Sequence, residues 1–600
     1  MLYLVSYGAG NVRSLANAIK RLGFQFKWVE KPEDIDQADQ LIFPGVGAFG
    51  QALTALRDKG YAEPLARYIA SGKPYFGICI GMQALFESSE EAVGVPGLGI
   101  IPSSIQKFSS HSKAVPHMGW NGAIPLKGST TFSLIDESIR CGFVEGDPSY
   151  YFVHSYAVLY DKSLADWALT VTQYGDETFI SSLQKGNVFA TQFHPEKSGK
   201  AGLNVLHAWL SQKGVLPTKG VIVRPLEEKK DALARNGYTK RIVACLDVRA
   251  NDNGDLVVTK GDQYDVRESH DVDLAVALPD GSTSASQQSR KGKSAIRNLG
   301  KPVDLAQRYY AEGADEICFL NITSFRTCPL LDQPMLAVVA QSAETVFVPL
   351  TIGGGIKDTV DPDGTRRSAL DVASAYFAAG ADKVSIGSDA VFAVEELLNN
   401  KERMADARLP VSGIEAIAQG YGSQAVVVSV DPKRVYAHSL EDIPAKHRPC
   451  AVDLSSFPTP STSTAKLPPD LGPNGERYCW YQCTVRGGRE ARDLDVVQLV
   501  QGVQSLGAGE ILLNSVDKDG QKSGFDIRLV DLVKRSVSIP VVASSGAGSP
   551  EHFVAVFQGT QVEAALAAGI FHRREVPIEA VKRTLRENGI PIRRDLLDSL

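Results

Sequence analysis

Cysteine is scarce in this chain, with eight in 600 residues. Cys479 and Cys483 are the closest pair, and a CxxxC spacing without further partners makes neither a metal site nor a disulfide framework. A reducing compartment, the cytoplasm, is therefore expected. Long apolar runs are missing too, and Met1-Leu-Tyr-Leu-Val leads straight into a strand pattern, so neither a membrane span nor a signal peptide is expected. Charge of one sign is also lacking. Lys and Arg number 63 against 69 Asp and Glu, a net −6, which offers no basic surface for nucleic acid or an anionic membrane. What is present is ordinary for a soluble globular protein: 44% hydrophobic and 22% charged residues. Such a length exceeds what one hydrophobic core holds, so two or more domains are expected.

Residues 1–212 alternate short apolar strands with helical patterns: Leu2–Ser6 then Val12–Leu22, Gln40–Phe43 then Ala48–Arg57, Tyr75–Ile78 then Met82–Phe86. That alternation predicts an α/β domain. Pro217-Thr-Lys-Gly220 and the charged Glu227–Asp231 mark 213–237 as a linker. From 238 to 600, eight strand-like runs recur: Ile242–Val248, Glu316–Ile322, Val346–Ile352, Lys383–Ile386, Ala425–Val430, Glu510–Val516, Ile539–Ala543 and Glu563–Ala567. Most are followed by helical segments, which predicts a (β/α)8 barrel.

The barrel region is internally duplicated. Ile242–Asp247 parallels Val426–Asp431, Thr351–Gly355 parallels Ala543–Gly548, and Lys383–Ser388 parallels Ala564–Gly569, in the same order. Two half-barrels would set Asp247 and Asp431 opposite each other at strand ends, with two glycine-rich turns facing likewise. Two stretches break the pattern, 262–300 and 437–478, and are expected to be long, mobile loops on the catalytic face.

Tyr75-Phe-Gly-Ile-Cys79-Ile-Gly-Met-Gln83 reads as a nucleophile elbow. A strand ends, glycines permit a sharp turn, and a thiol sits where a helix begins. Gln192-Phe-His194-Pro-Glu196 supplies a base and a carboxylate to orient it, the layout of an acyl-transferring thiol enzyme. His154 is a competing base with no nearby carboxylate in sequence. Gly45 and Gly47, in the turn Pro44–Phe49, can aim backbone N–H groups at a bound carbonyl oxygen.

Paired aspartates at strand ends suit general acid/base work on a substrate held between them. The turns at Gly353–Gly355 and Gly546–Gly548 fit phosphate cradles of backbone amides, so the substrate is expected to carry a phosphate at each end. Strand parity adds a further expectation. Arg241, Val243, Cys245 and Asp247 share a face, so Arg241 points into the barrel bottom if Asp247 faces the active site. Glu316, Lys383 and Glu510 open their strands in the same way. Two cations and two anions can close the bottom as a gate or as a structural salt-bridge plug.

These strings resemble known families. Gly77-Ile-Cys79-Ile-Gly81-Met-Gln83 and Phe193-His194-Pro-Glu196-Lys197-Ser198 resemble class I glutamine amidotransferases. Lys240–Val248, Gly507–Ser515 and Asp517-Lys-Asp519-Gly520 resemble the cyclase barrel of histidine biosynthesis. Their fusion, covering nearly the whole chain, resembles the single-chain imidazole glycerol phosphate synthases of fungi and plants. The resemblance implies that glutamine is hydrolysed and that its ammonia converts the diphosphorylated ribonucleotide PRFAR to imidazole glycerol phosphate and AICAR. It implies Cys79 as nucleophile, His194 as base and Glu196 as its orienter, with Gly47 and Ile80 serving the oxyanion and Gln83 glutamine. Asp247 and Asp431 become the cyclase acid/base pair, with Lys260 near the substrate. Substrate and phosphate contacts fall on Gly354, Gly355, Ser388, Asn514, Asp519, Gly520, Gly546, Gly548, Ala568 and Gly569. Asn321 stands where Asp is frequent in bacterial barrels, and Gly569 where Ser is frequent, which leaves the second cradle to backbone amides alone. No metal or redox cofactor is implied. A monomer is expected, because fusion removes the need for subunit assembly. The alternatives are another glutamine-fed barrel synthase with a different phosphorylated acceptor, or a non-catalytic sensor of glutamine or a nucleotide.

Overall fold

The computed structural model describes all residues except 9, 130–142, 144–147, 212–220, 224, 230, 232, 234–236, 251–255, 260–298, 323–333, 400–411, 456–469 and 594–600. Leu2–Val5, Gln40–Phe43 and Tyr75–Ile78 are apolar on both faces and almost wholly buried, as central parallel strands require. They lie in an eight-stranded sheet ordered Phe26–Val29, Leu2–Val5, Gln40–Phe43, Tyr75–Ile78, Val188–Thr191, Glu177–Lys185, Ala168–Tyr174 and Ile124–Pro125. The first five strands are parallel and the last three antiparallel. Parallel order places the C-terminal ends of Gln40–Phe43, Tyr75–Ile78 and Val188–Thr191 side by side. The sequence strings Pro44–Gly47, Cys79 and His194 follow those three ends.

The second unit is a closed parallel barrel. Its strands, first to eighth, are Arg241–Ala250, Glu316–Asn321, Leu350–Gly353, Lys383–Ile386, Val426–Ala437, Glu510–Leu513, Val541–Ala543 and Ala564–Ala567. The fourth strand pairs with the fifth and closes the ring. Parity divides each strand. Ile242, Ala244, Leu246 and Val248 pack outward against the helices. Val243 and Cys245 face inward with Cys318, Val427, Leu512, Val542 and Leu566, filling the lumen. Both half-repeats extend beyond their aspartate into a hairpin: Val248–Ala250 pairs back with Leu256–Val258, and Asp431–Ala437 with Tyr478–Thr484.

Several sequence expectations need correction. The helix expected over Met82–Phe86 is the single turn Ile80–Gln83, and Phe86 opens a strand paired with Ile101. The third barrel strand begins at Leu350, because Val346 and Val348 are buried before the ladder starts. The insert 262–300 lies outside the described residues apart from Leu299 and Gly300. The flanks of the other insert are ordered rather than loose. Arg434 makes a two-point pair with Asp526 (2.8 and 2.9 Å) and reaches Asp470 at 2.7 Å. His447 stacks on Trp480 at 4.1 Å between Asp493 and Asp495. The expected linker is also structured in part, since Val221–Val223 pairs with Lys127–Ser129.

The two units share a buried interface at the lower, N-terminal mouth of the barrel. Met118, Trp120, Tyr151 and Val153, on the paired strands His117–Gly122 and Ser149–His154, join the barrel's core. Trp120 donates its indole N–H to the Asp315 carbonyl (3.1 Å) and lies under the Arg593 guanidinium at 4.3 Å. Lys197 pairs with Asp382 at 2.7 Å, and Asn11 donates to the same carboxylate at 2.8 Å. The incoming chain follows this edge: Tyr238 donates to the Met118 carbonyl and the Thr239 amide to that of Trp120, just before Arg241 opens the first strand.

Candidate functional site

Cys79 has φ 51°, a left-handed conformation that costs a non-glycine residue energy and marks a strained turn. The turn needs its glycines. A Cβ on Gly81 would lie 1.9 Å from the Phe43 carbonyl oxygen, and one on Gly77 2.4 Å from that of Gly81. The Cys79 amide donates to Thr191 (2.7 Å), and its carbonyl accepts from Met82 and Gln83. Ile80 opens the helical turn, where first-turn amides lack intrahelical acceptors.

His194 is buried, and its Nδ1 lies 2.9 Å from Glu196 Oε1. Burial alone would depress the imidazole, but the Glu196 carboxylate and the Cys79 sulfur outweigh it and raise the pKa to about 10. Among the described residues, Nε2 has no partner within hydrogen-bonding geometry, while the Cys79 sulfur accepts from Gln192 Nε2 at 3.4 Å. Gln192 is in turn held by Gln83, which also donates to the Tyr156 carbonyl at 3.1 Å. Gln83 thus sits behind the sulfur's partner. His154 turns away: its Nδ1 meets the Tyr156 carbonyl, its Nε2 meets His117, and burial depresses it to about 3.

The turn carrying Gly45 and Gly47 crosses directly over Ile80, where a Cβ on Gly45 would lie 2.5 Å from the Ile80 Cβ. Tyr7 donates to the Val46 carbonyl at 2.9 Å, and burial followed by the nearby Cys79 raises its phenol far above the usual range. Tyr7 comes from the end of the first strand, and only the fold brings it here. On the other side Gly47 comes near the Gly420 carbonyl of the barrel unit.

The barrel's upper, C-terminal mouth encloses a cavity of about 800 Å³. Asp247 and Asp431 line it, with Asn321, Gly354, Gly355, Ser388, Asn514, Asp519, Gly520, Gly546, Ala568 and Gly569. Asp431 accepts from Asn514 Nδ2 at 2.7 Å, yet burial prevails and raises its carboxyl pKa. The Asp247 carbonyl accepts from the Thr259 amide and that of Asp431 from the Thr484 hydroxyl, so each hairpin holds its aspartate's backbone. Gly548 does not line the cavity. Its amide donates to His552 Nδ1 at 3.0 Å, and a Cβ there would meet Lys522 at 2.4 Å. Lys260 lies outside the described residues. Lys357, Arg486, Arg489, Lys522 and Arg573 also reach the cavity. Sequence reasoning missed them because they come from loops with no motif of their own.

At the lower mouth Arg241, Glu316, Lys383 and Glu510 form a closed, buried ring. Arg241 binds Glu316 at 2.7 Å and also Glu510, while Lys383 binds both carboxylates at 2.6 Å. Lys383 Nζ lies 3.5 Å from Met118 Sδ, so the ring touches the first unit.

Comparison with known proteins agrees with this architecture. Residues 3–210 match the family model "Glutamine amidotransferase class-I", and residues 241–577 match "Histidine biosynthesis protein". The chain is 51% identical to imidazole glycerol phosphate synthase hisHF of Emericella nidulans over 600 residues, covering 99% of each protein. It is 49% identical to the Schizosaccharomyces pombe protein of the same name over 593 residues, covering 98% of this chain and 99% of the relative. With the chloroplastic Arabidopsis thaliana protein it shares 50% identity over 591 residues, covering 98% of this chain and 89% of the relative. The chain therefore belongs to the imidazole glycerol phosphate synthase family, as a class I glutamine amidotransferase fused to a histidine-biosynthesis barrel.

Proposed function

We propose the following division of labour for the glutamine-dependent synthesis this family performs. Cys79 attacks the glutamine carboxamide, and the developing oxyanion is met by amides at Gly47 and Ile80. Protonated His194, held by Glu196, gives its proton to the leaving nitrogen. Ammonia departs, and water then releases glutamate from the thioester. Gln83 acts through Gln192. In the barrel, Asp247 and Asp431 move protons as ammonia attacks PRFAR, cyclisation follows, and AICAR leaves. A carboxyl whose pKa is raised, as at Asp431, suits an acid near neutral pH. The cradles at Gly354, Gly355 and Ser388 and at Gly546, Ala568 and Gly569 take the two phosphates, with Asn514, Asp519, Gly520 and Lys260 near the substrate and Gly548 supporting from behind.

One observation carries this reading: the lower mouth of the barrel is seated on the amidotransferase unit, with Met118 against the ring at Lys383. Ammonia released beside Cys79 and kept from bulk water stays unprotonated and nucleophilic. The ring Arg241, Glu316, Lys383 and Glu510 is then its gate. The domains divide as 1–212, a 213–237 linker and 238–600, and the protein works as a cytoplasmic monomer. The six described cysteines are all free, in keeping with a reducing compartment. No described helix is long and apolar enough to cross a membrane.

Isotope competition tests the transfer. With amide-15N glutamine and excess unlabelled ammonium, the imidazole product should carry undiluted label. Label diluted to the bulk ratio would overturn direct transfer.

A further inference from the structure

The two half-barrels differ at one paired position of their phosphate cradles. Ser388 follows the fourth strand and Gly569 follows the eighth, at matching places in the repeat. Ser388 Oγ accepts from the Arg486 amide at 2.9 Å, which leaves its own O–H to donate. Glycine at 569 offers no such donor. Its backbone does not adopt a positive φ, so conformation does not demand glycine there. Space does. A Cβ on Gly569 would lie 2.9 Å from Arg573 Nη1 and 3.0 Å from Nη2. The guanidinium occupies the volume that a side chain at 569 would fill. Four residues on from Ser388 stands Phe392 instead, also at the cavity. The halves thus pair Ser with Phe in one cradle and Gly with Arg in the other.

We propose that Arg573 is the side-chain phosphate donor of the second cradle, and that Gly569 is glycine to admit its guanidinium. The inference rests on the assignment of the two cradles to the phosphates of PRFAR, and it replaces the expectation of a cradle made of backbone amides alone. The fork is held in place from behind. Arg573 Nε and Nη2 bind the Glu575 carboxylate at 2.7 and 3.2 Å, which leaves Nη1 over the cradle. The same carboxylate takes Lys522 Nζ at 2.8 and 2.9 Å, and Lys522 also lines the cavity. Arg573 and then Lys522 lower the Glu575 carboxyl to about 2, so it stays ionised and the trio carries one net positive charge. A planar fork with a free N–H edge suits a phosphate better than a point charge does.

The test uses the full chain with ammonium as nitrogen source. Arg573→Ala should raise the KM for PRFAR about 10- to 100-fold, the range for one charge-assisted hydrogen bond, with most of the loss in KM rather than kcat. Inhibition by inorganic phosphate should weaken in parallel. The double variant Gly569→Ser with Arg573→Ala should recover most of the KM loss, because a serine hydroxyl then fits where the guanidinium was. Gly569→Ser alone should raise KM by crowding Arg573 out. An unchanged KM in Arg573→Ala would overturn the proposal, as would a double variant no better than Arg573→Ala. Inorganic phosphate acting on the parent protein separates the two levels. If it competes with PRFAR while Arg573→Ala leaves KM unchanged, only the donor assignment falls. If it does not compete, the cradle assignment falls as well.

Discussion

The two mouths of the barrel are made by the same eight strands and are built in opposite ways. At the lower mouth Arg241, Glu316, Lys383 and Glu510 are buried and bound to one another, so their charges cancel locally. At the upper mouth the polar groups surround about 800 Å³ of open space. Strand parity explains how both can exist. The first strand sends Arg241 inward at one end and Asp247 inward at the other, roughly 20 Å apart at ~3.3 Å per residue. The lumen between them is lined by Val243, Cys245, Leu512 and Leu566. A polar site at each end is thus separated by an apolar middle.

Four experiments would break or sharpen this contrast. The largest effect is expected from Cys79→Ala. Glutamine-dependent synthesis should fall to background while ammonium-dependent synthesis continues, because supply from below is lost and the upper site is intact. Residual glutamine turnover at the parent rate would refute the role of Cys79. Next, Asp247→Asn or Asp431→Asn should lower synthesis about 10²- to 10⁴-fold with either nitrogen source. Near-parent ammonium-dependent rates in both variants would reduce these residues to strand caps.

Lys383→Ala addresses the lower mouth. It leaves Glu316 and Glu510 sharing only Arg241, and losing one partner of a buried pair costs ~3–5 kcal/mol. A gate predicts that glutamate production exceeds imidazole product while ammonium-dependent synthesis survives. A plug predicts lower thermal stability with the two products still formed one for one, and that result would sink the gate. The smallest and most local effect is expected from Glu196→Gln. With the carboxylate gone, burial works against the imidazolium with less opposition, so His194 should titrate well below the present value of about 10. A 15N NMR titration of His194 reads this directly, and an unchanged midpoint would remove Glu196 as its partner.

The contrast between the mouths also separates what the sequence reveals from what it hides. The ring was legible because it follows from counting residues back from Asp247 in steps of two. The elbow was legible because Gly77, Cys79 and Gly81 lie in one short string. Both half-barrels were legible as a repeat. Tyr7 and Gln192 were not assigned places beside Cys79, because proximity to the sulfur arises only when separate strands of the sheet align. The tie between Lys197 and Asp382 spans 185 positions and joins two units, so no local pattern carries it. Arg573, besides lying in a segment with no motif of its own, was missed for a second reason. Gly569 showed that a side chain was absent, and only packing shows what fills its place. The ordered flanks of the second insert depend on Arg434 reaching Asp526 and Asp470, pairings that composition rich in Pro, Ser and Thr does not announce.

The path of the chain at residues 238–241 has a consequence for behaviour at low concentration. Tyr238 and Thr239 are pinned to Met118 and Trp120, and the next residues start the strand that supplies Arg241 to the ring. Two separate subunits joined at such a surface would come apart once diluted below their dissociation constant. Here the tether keeps the partner surface at an effective concentration on the order of millimolar, whatever the bulk value. The ratio of imidazole product to glutamate should therefore stay constant as the protein is diluted from micromolar to picomolar, and each amidotransferase centre always has its own barrel to serve.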